Sequence, residues 1–329
     1  MNWNNKRVLV TGAGGFIGSH IVERLVSLGA KVRTFIRYTS RPQAGYLDML
    51  DPNIRSSIEI IRGDLRDYNA VIQAIQDVKV VYHLGALIGI PYSYFHPRET
   101  IDTNVIGTLN VLMAAREGGV ECIIHTSSSE VYGTARYVPI NEVHPLQAQS
   151  PYSASKICAD KIAESFFDSY GLPVVVLRPF NTYGPRQSAR AVIPTIITQA
   201  LVGEEIVLGN LTPQRDFTYV TDTVEAFVKV AECEKAYGQT INLGTSTEIS
   251  ISDLVHKIGL ILGKNLRVCQ EASRRRPASS EVERLISDNC LARELLGWQP
   301  CISLDCGLLK TVEWVSDNLQ LYQVGCYEV

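Results

Sequence analysis

Tyr152 and Lys156 are the two residues whose types and spacing point most directly to chemistry. Residues four apart on a helix share one face, so the Lys156 ammonium is expected beside the Tyr152 phenol. An ordinary tyrosine, with a pKa of about 10, is a poor base at neutral pH. A neighbouring cation favours the phenolate, and the pair could then take the proton of an alcohol whose carbon is being oxidised.

A serine and a carboxylate precede this pair in the segment Ser127-Ser128-Ser129-Glu130-Val131-Tyr132-Gly133. Ser128 is expected to hydrogen-bond the same substrate oxygen as the tyrosine and to fix its position. A carboxylate at the buried end of a strand is unfavourable unless it has a task. Beside a newly formed ketone, Glu130 could remove the adjacent acidic proton and help to expel a hydroxyl group as water. The alternative is a structural glutamate that accepts hydrogen bonds from backbone amides of the turn.

A glycine-rich turn between a buried strand and a helix, at residues 8–18, predicts a dinucleotide site. Gly12 permits the turn, Gly15 lets the backbone approach a pyrophosphate, and Gly18 allows the helix to pack closely on the strand. Free N–H groups and a partial positive charge face the phosphates at the first helical residues, Phe16 and Ile17. The spacing is one residue longer than the usual G-x-G-x-x-G, but the strand–turn–helix context favours NAD or NADP as cofactor. An oxidised nicotinamide would add a second positive charge near the tyrosine.

The residue that ends the second predicted strand selects between the two cofactors. An acid at this place accepts the ribose hydroxyls of NAD and repels the 2′-phosphate of NADP. The sequence has Arg37 there, with Arg41 nearby and no acid, so the pattern favours NADP over NAD. Both arginines would also be ordinary on a solvated surface, so NAD stays open.

Residues after the third and fourth strands are expected to complete the cofactor site. Asp64 would either cap the next helix or bond the adenine amino group. Small residues at the end of the fourth strand would let the cofactor lie across the sheet. The further residues expected to contact the cofactor are Leu65, Leu84, Ala86, Tyr152 and Lys156, and the Lys156 ammonium could bond the nicotinamide ribose hydroxyls.

Apolar strand-like runs alternate with amphipathic stretches, as in a parallel sheet covered by helices on both faces. This alternation predicts an α/β fold, a doubly wound parallel sheet of Rossmann type with a smaller C-terminal α/β substrate domain. We predict strands at 7–11, 31–36, 58–62, 78–84, 122–127 and 173–178, and helices at 17–28, 69–75, 101–117 and 153–169. Later we predict a helix at 192–201, a strand at 206–208, strands rejoining the sheet at 217–220 and 240–243, and a helix at 307–318. Residues 1–185 and 216–246 would form the NAD(P)-binding domain, and residues 186–215 and 247–329 the substrate domain.

Composition excludes several classes of function. The 329 residues are 46% hydrophobic and carry a net charge of −3, which gives no electrostatic footprint for nucleic acid. No apolar run reaches the roughly 18 residues of a membrane span, and the chain enters a strand too early for a signal peptide, so we expect a cytoplasmic protein. No metal is expected, because the six histidines show no metal-ligand spacing. We expect reduced thiols at the eight cysteines, which are Cys122, Cys158, Cys233, Cys269, Cys290, Cys301, Cys306 and Cys326.

Five motifs together resemble the extended short-chain dehydrogenase/reductase family of nucleotide-sugar epimerases and dehydratases, over nearly the whole chain. They are Thr11-Gly12-x-x-Gly15-x-x-Gly18, Ser-Ser-Glu130-Val-Tyr-Gly133, Tyr152-x-x-x-Lys156, Arg178-Pro-Phe-Asn181-x-Tyr-Gly-Pro185 and Arg215-Asp216-Phe217-x-Tyr-Val220. Segments 86–94, 149–153, 186–194 and 280–285 look most like the GDP- or UDP-N-acetylglucosamine 4,6-dehydratases of legionaminic acid biosynthesis. Family epimerases usually lack the acid before Val-Tyr-Gly. Many family dehydratases have an aspartate where this chain has Ser129, so Glu130 is expected to act as both base and acid.

The resemblance implies a nucleotide-sugar 4,6-dehydratase that forms a 4-keto-6-deoxy sugar and consumes no free cofactor. A nucleotide-sugar 4-epimerase would use the same Tyr152 and Lys156. A nucleotide-uronate decarboxylase would need an arginine for the substrate carboxylate, which the sequence does not place. A cofactor-binding regulator without turnover fits poorly with an intact serine, tyrosine and lysine.

The resemblance also implies substrate contacts and a partner. Asn181 would bond a phosphate or sugar oxygen, and Arg215 and Arg276 would hold the diphosphate, since guanidinium geometry suits anionic phosphates. Arg186 could either cap a helix or contact the nucleotide. A homodimer would form through the helices at 101–117 and 153–169, paired with their copies in a four-helix bundle.

Overall fold

The computed structural model describes residues 1–325, in which strands and helices alternate along the chain. The strands of the first half are β1 Arg7–Thr11, β2 Lys31–Arg37, β3 Glu59–Gly63, β4 Val80–His83, β5 Cys122–Thr126 and β6 Val174–Pro179. Those of the second half are β7 Thr182–Tyr183, β8 Glu205–Leu208, β9 Gln214–Arg215, β10 Thr218–Tyr219, β11 Thr240–Leu243, β12 Ile249–Ser250, β13 Arg267–Gln270 and β14 Arg284–Leu285. The helices are α1 Phe16–Ser27, α2 Pro52–Ser57, α3 Tyr68–Ile75, α4 Ile90–Phe95, α5 Pro97–Ile101, α6 Gly107–Glu117, α7 Pro151–Tyr170, α8 Val192–Val202, α9 Val220–Ala231, α10 Ile251–Leu262, α11 Cys290–Leu296 and α12 Leu304–Asp317.

Seven parallel strands form the central sheet, in the order β11-β6-β5-β4-β1-β2-β3. The order reverses between β1 and β4, and doubly wound sheets bind their ligands beyond the carboxyl ends of the strands at such a reversal. The predicted fold class, a doubly wound α/β sheet of Rossmann type, is therefore confirmed. The chain crosses this reversal at the glycine-rich turn after β1 and at the residues that follow β4.

Apolar side chains cover both faces of the sheet because its strands are buried on both sides. β4 and most of β1, β5 and β6 are fully buried. One layer of the core packs under α1 and α9, and the other packs under α3, α6 and α7. This double cover holds the carboxyl edge of the sheet rigid, which is where the candidate site lies.

The later part of the chain adds smaller sheets beside the carboxyl edge. β8 pairs in parallel with β13, and β9 lies between β12 and β14. Helix α8 packs against α10 and α12 and covers these strands. This arrangement places β9, which carries Arg215, against the loop that leads into β14.

Most predicted elements of the first half agree with the structure to within one or two residues, but the strand at 217–220 and the helix at 101–117 differ from it. The expected strand at 217–220 does not rejoin the main sheet, because β10 pairs with β7 in a separate small sheet and residue 220 begins α9. The expected strand at 240–243 does rejoin the main sheet, as β11 beside β6. The expected helix at 101–117 is interrupted, since a π-helical turn at Asp102–Ile106 separates α5 from α6. Helices α9, α10 and α11 were not predicted from the sequence.

Three compositional expectations concern membranes, cysteines and metals. No helix within residues 1–325 is both long and apolar enough to cross a membrane. Seven cysteines of this part of the chain are free thiols, and Cys326 lies outside the described residues. Within the same range, no group of three or more His, Cys, Asp or Glu side chains is arranged to hold a metal ion.

Candidate active site

In the glycine-rich turn after β1, neighbouring backbone atoms leave no room for a side chain at Gly12 or Gly18. Gly12 has a φ of +68°, and a Cβ there would lie 2.8 Å from the backbone nitrogen of Gly85. A Cβ on Gly18 would lie 2.4 Å from the carbonyl oxygen of Gly12, so α1 packs on the turn only with glycine at this position. Gly15 is the N-cap of α1 and offers no side-chain cap. The first-turn N–H groups, including those of Phe16 and Ile17, are thus left for an anion, and the cradle fits the pyrophosphate of a dinucleotide.

The residues after β4 close the other side of this cradle. The hydroxyl oxygen of Thr11 accepts a hydrogen bond from the Gly85 amide at 3.0 Å and lies 2.8 Å from Nδ1 of His83. A Cβ on Gly85 would lie 2.7 Å from a methyl group of Leu65, so these segments touch. Leu84 and Ala86 flank Gly85. The structure thus brings these two residues and Leu65 to the edge of the sheet where we expect the cofactor.

Residues 44–46 close over the glycine-rich turn, a contact that sequence reasoning missed. A Cβ on Gly14 would lie 2.7 Å from the Ala44 carbonyl oxygen, and one on Gly45 would lie 2.4 Å from the Gly14 carbonyl oxygen. The Tyr46 amide donates to the same Gly14 oxygen at 3.0 Å. The signal in the sequence was Gly45, an isolated glycine after β2 that has a φ of +66°.

The end of β2 is cationic, but its arginine has a partner. Arg37 is exposed, and its guanidinium lies 3.2 Å from Oε1 of Glu99. Asp64 does not cap the next helix, because Asp67 does so by accepting the Asn69 amide at 2.9 Å. Asp64 instead accepts hydrogen bonds from Arg66, and this pairing lowers the pKa of its carboxyl group. Its expected contact with adenine stays a prediction.

Helix α7 fixes the tyrosine and the lysine by the way it begins. Ser150 and Ser153 form a reciprocal capping box that sets the first turn. Tyr152 lies in that turn and Lys156 one turn later, and both are more than nine-tenths buried. The hydroxyl of Ser128, just after β5, hydrogen-bonds the Tyr152 phenol. The structure therefore brings together the three groups that the sequence selected from separate segments.

Burial dominates the ionisation of this group. It raises the pKa of Tyr152 to about 12, an effect that the Ser128 hydrogen bond opposes and the negative charges of Glu130 and Asp160 reinforce. Burial also lowers the pKa of Lys156 to about 8, against the attraction of Asp160. In the protein alone, the Lys156 ammonium does not offset the effect of burial on the pKa of Tyr152. A second cation is therefore needed for the Tyr152 phenolate to form near neutral pH. An oxidised nicotinamide supplies such a charge.

Glu130 lies in a short 3₁₀ turn that Ser128 caps, with the Ser128 hydroxyl oxygen accepting the Glu130 amide at 3.2 Å. Its side chain is 14% exposed, and its carboxylate lies 3.4 Å from the guanidinium of Arg276. The same carboxylate acts electrostatically on Tyr152 and on Arg215. Glu130 is thus electrostatically coupled to Tyr152, and the contact of its carboxylate is with the guanidinium of Arg276 and not with backbone amides of the turn.

Arg215 and Arg276 form a pair of cations around this carboxylate. Arg215 is buried, which lowers its pKa, and it lies 3.7 Å from Glu281. Arg276 is partly buried, but the charges of Glu130 and Glu281 raise its pKa. The positive charges of Arg215 and Arg276 are balanced by the negative charges of Glu130 and Glu281, so these four side chains carry no net charge. An anionic ligand that displaces one carboxylate would find two cations in place, as a diphosphate requires.

The other two residues expected to bind substrate have different surroundings. Asn181 follows β6 and donates from Nδ2 to the Asp216 carbonyl oxygen at 3.1 Å, next to the buried arginine of β9. Arg186 has a φ of +69° and lies 2.6 Å from Glu23 and 3.4 Å from Ser19, both on α1. Through these contacts Arg186 attaches its loop to α1. They favour a structural role for Arg186 over a contact with the nucleotide.

A further contact fixes the loop that carries Arg276. The Tyr94 hydroxyl on α4 bonds the Ser280 hydroxyl, which in turn donates to the Gln149 carbonyl oxygen just before α7. The Gln149 side chain also donates to the Ser279 carbonyl oxygen at 3.1 Å. Sequence reasoning missed this contact because its partners are more than 100 residues apart.

The structure combines a glycine-rich turn at the reversal point of the main sheet, a serine–tyrosine–lysine group around β5 and α7, and two arginines around Glu130. Together they define a nicotinamide-dependent enzyme of the short-chain dehydrogenase/reductase type. A sequence model described as GDP-mannose 4,6 dehydratase matches residues 9–311. The chain therefore belongs to this family of NAD-dependent epimerases and dehydratases.

Relatives of the chain carry out three different reactions. It is 34% identical to a UDP-glucose 4-epimerase of Mycolicibacterium smegmatis, over 95% of this chain and 100% of that protein. It is 32% identical to a UDP-N-acetyl-alpha-D-glucosaminuronate decarboxylase of Bacillus cytotoxicus, over 94% and 97% of the two chains. The structure of DesIV, a dTDP-glucose 4,6-dehydratase from Streptomyces venezuelae solved with NAD bound, superposes with a TM-score of 0.86 at 28% identity and covers 96% and 99% of the chains. The family therefore supports a nicotinamide cofactor but does not select the reaction.

Proposed function

We propose that the protein is a nucleotide-sugar 4,6-dehydratase. Its substrate would be a GDP- or UDP-linked N-acetylglucosamine, or a related hexose, and its product the 4-keto-6-deoxy sugar nucleotide. The observation that carries the proposal is the Glu130 carboxylate, which lies beside Arg276 and whose charge raises the pKa of Tyr152. An epimerase has no need of a base at this position, because it removes no carbon-bound proton.

The first half of the reaction uses the group on α7. Tyr152 takes the proton of the 4-hydroxyl while Ser128 holds the same oxygen, and the Lys156 ammonium stabilises the phenolate. A dinucleotide held at the glycine-rich turn would supply the hydride acceptor for carbon 4 and the hydride donor for carbon 6. Because the hydride is returned, the cofactor undergoes no net change.

The second half uses Glu130. The ketone at carbon 4 makes the proton on carbon 5 acidic, and the Glu130 carboxylate removes it. The same carboxyl group then protonates the departing 6-hydroxyl, which leaves as water. Ser129 stands where many family dehydratases have an aspartate, and it is buried, so this residue offers no second acid. Glu130 therefore performs both proton transfers of the elimination, and a proton derived from solvent is added at carbon 5 when hydride is delivered to carbon 6.

The diphosphate of the substrate is assigned to the two arginines. Arg215 comes from β9 and Arg276 from the loop before β14, and both act electrostatically on Glu130. A diphosphate between them would also weaken the hold of Arg276 on the Glu130 carboxylate. Substrate binding would thus free the base for carbon 5.

Mass spectrometry of UDP- and GDP-N-acetylglucosamine incubated with the protein tests this proposal. We expect loss of one water without added reductant. In deuterium oxide the product should gain one solvent deuterium at carbon 5, because the proton removed from carbon 5 leaves in the expelled water and its replacement comes from solvent. Unchanged mass with conversion to the galacto isomer would overturn dehydration in favour of epimerisation.

One observation favours a second candidate, a nucleotide-uronate decarboxylase. Such an enzyme needs a cation for the substrate carboxylate near the reacting carbon, and the guanidinium of Arg276 lies 3.4 Å from Glu130. The sequence alone did not place an arginine there. Incubation with UDP-glucuronate and UDP-N-acetylglucosaminuronate separates the two candidates, since a decarboxylase releases carbon dioxide from these substrates and leaves the N-acetylglucosamine nucleotides intact.

A further inference from the structure

A buried carboxylate that the proposed reaction does not use lies one turn beyond Lys156. Asp160 is fully buried on α7, and the pKa of its carboxyl group is lowered in spite of burial. It accepts a hydrogen bond from the Ser127 hydroxyl at 2.7 Å and lies 3.1 Å from Nε2 of His125. Arg178, which is almost completely buried on β6, donates to it from Nε at 3.1 Å and from Nη2 at 3.0 Å.

The carboxyl end of β5 is joined to α7 through four successive residues. His125 and Ser127 contact Asp160. Between them, the Thr126 carbonyl oxygen accepts a hydrogen bond from the Lys156 ammonium. The fourth residue, Ser128, bonds the Tyr152 phenol. Asp160 therefore anchors two of the four contacts that align the strand end with the tyrosine–lysine pair.

We propose that Asp160 is a positioning residue that keeps the Lys156 ammonium charged and holds the strand end that presents Ser128. The proposal rests on the proposed function, because it assigns Tyr152 and Lys156 to catalysis. Asp160 touches neither sugar nor cofactor in this scheme and acts only through the lysine and the strand.

The charges around Lys156 support an electrostatic role. The ammonium is 5% exposed, and its hydrogen-bond acceptor, the Thr126 carbonyl, is neutral. The other titratable groups that face it are Tyr152 on α7, His83 on β4 and His125 on β5. Burial, reinforced by the Lys156 charge, lowers the pKa of both histidines, so they are neutral near pH 7. Asp160, whose charge Arg178 shares, is the anion that offsets the burial of the lysine.

A pair of variants separates the charge of Asp160 from the packing around it. The double variant Asp160→Asn/Arg178→Gln removes both charges of the buried ion pair and leaves no lone buried ion. Loss of the Lys156 proton sets the alkaline limb of kcat, and we expect this limb to move down by about one pH unit in the double variant. The matched control is Arg178→Gln, which breaks the same ion pair but keeps the carboxylate, and its limb should not move down.

A second measurement keeps the test independent of turnover. Lys156 is expected to donate to the nicotinamide ribose, so the affinity for NADH or NADPH, followed by nucleotide fluorescence, should fall at a lower pH in the double variant than in the wild type. If the double variant has lower activity and lower nucleotide affinity, but both depend on pH as in the wild type, Asp160 has only a packing role and the proposal is overturned. If only the double variant folds, its own two profiles decide. A wild-type protein that binds dinucleotide but converts no nucleotide sugar would refute the proposed function, while the binding profile would still test Asp160.

Discussion

Replacing Glu130 by glutamine should separate the two halves of the proposed reaction. Glutamine keeps the shape of the side chain but cannot remove the proton from carbon 5. The negative charge of Glu130 helps to raise the pKa of Tyr152, so its removal should make the phenolate easier to form. Oxidation at carbon 4 should therefore persist in Glu130→Gln, while loss of water collapses.

The size of the effect follows from the role and burial of the residue. The Glu130 side chain is only 14% exposed, so bulk water has little access as a substitute base. A positioned general base contributes about 10²- to 10⁴-fold, equivalent to about 3–5 kcal/mol in the barrier. We expect dehydration to slow by that factor, with little change in stability because Arg276 keeps a polar partner.

A single-turnover assay measures both halves at once. Absorbance of the reduced nicotinamide should rise and persist in Glu130→Gln, whereas in the wild type it should be transient, and mass spectrometry should show little dehydrated product. The matched control is Glu59→Gln, which removes the same charge from a carboxylate paired with Arg33 at the amino end of β3, away from the carboxyl edge of the sheet, and should behave as wild type. Dehydration by Glu130→Gln at the wild-type rate would refute the assignment of the base. A folded variant that never reduces the nicotinamide would refute the division into two halves.

Three further predictions concern stability, cofactor choice and assembly. Burial lowers the pKa of Lys156 from 10.5 to about 8, so the unfolded chain binds more protons between these values. As pH rises through this window, the free energy of unfolding of the wild type should therefore increase by up to about 3 kcal/mol relative to that of Lys156→Met. Urea unfolding at several pH values measures this difference, and a difference that does not change with pH would contradict the lowered pKa of Lys156. Arg37→Asp should weaken the binding of NADP relative to that of NAD by about 10- to 100-fold, which corresponds to the loss of one charged hydrogen bond. If fluorescence titration shows equal losses of affinity for both nucleotides, Arg37 does not contact the 2′-phosphate. Ile106 and Met113, two turns apart and 42% and 38% exposed, lie on the face expected to form a homodimer. Ile106→Lys should shift the protein to monomer in analytical ultracentrifugation while the exposed control Leu260→Lys does not, and a monomeric wild type would disprove the dimer.

Local patterns predicted those parts of the fold that depend on neighbouring residues. The strands of the main sheet are apolar along their length because both faces are covered, so their positions could be read from composition. Tyr152 and Lys156 share a helix face by spacing alone, and Gly18 is required by a backbone contact with Gly12 only six residues earlier. The strand expected at 217–220 exists as β10, but it pairs with β7 and not with the main sheet, because a local apolar pattern does not specify which neighbour a strand pairs with.

Contacts between distant residues could not be predicted in this way. The ion pair of Glu130 with Arg276 joins residues 146 positions apart, and no local period encodes it. The same holds for the contact of Gly14 with Ala44, which depends on how the chain returns after β2. Asp160 follows Lys156 by one helical turn, but its role depends on a cation, Arg178, supplied by a neighbouring strand. Tertiary packing decides all three.

The reacting groups and the anion-binding groups come from different parts of the chain. Ser128, Glu130, Tyr152 and Lys156 are fixed around β5 and α7, whereas Arg215 and Arg276 belong to β9 and the loop before β14. The Arg276–Glu130 ion pair joins the two sets, so a substitution at Arg276 would change both the proposed anion site and the position of the proposed base. A change that adapts this pocket to another nucleotide would therefore also alter the hexose site, and we expect substrate and chemistry to change together on this scaffold.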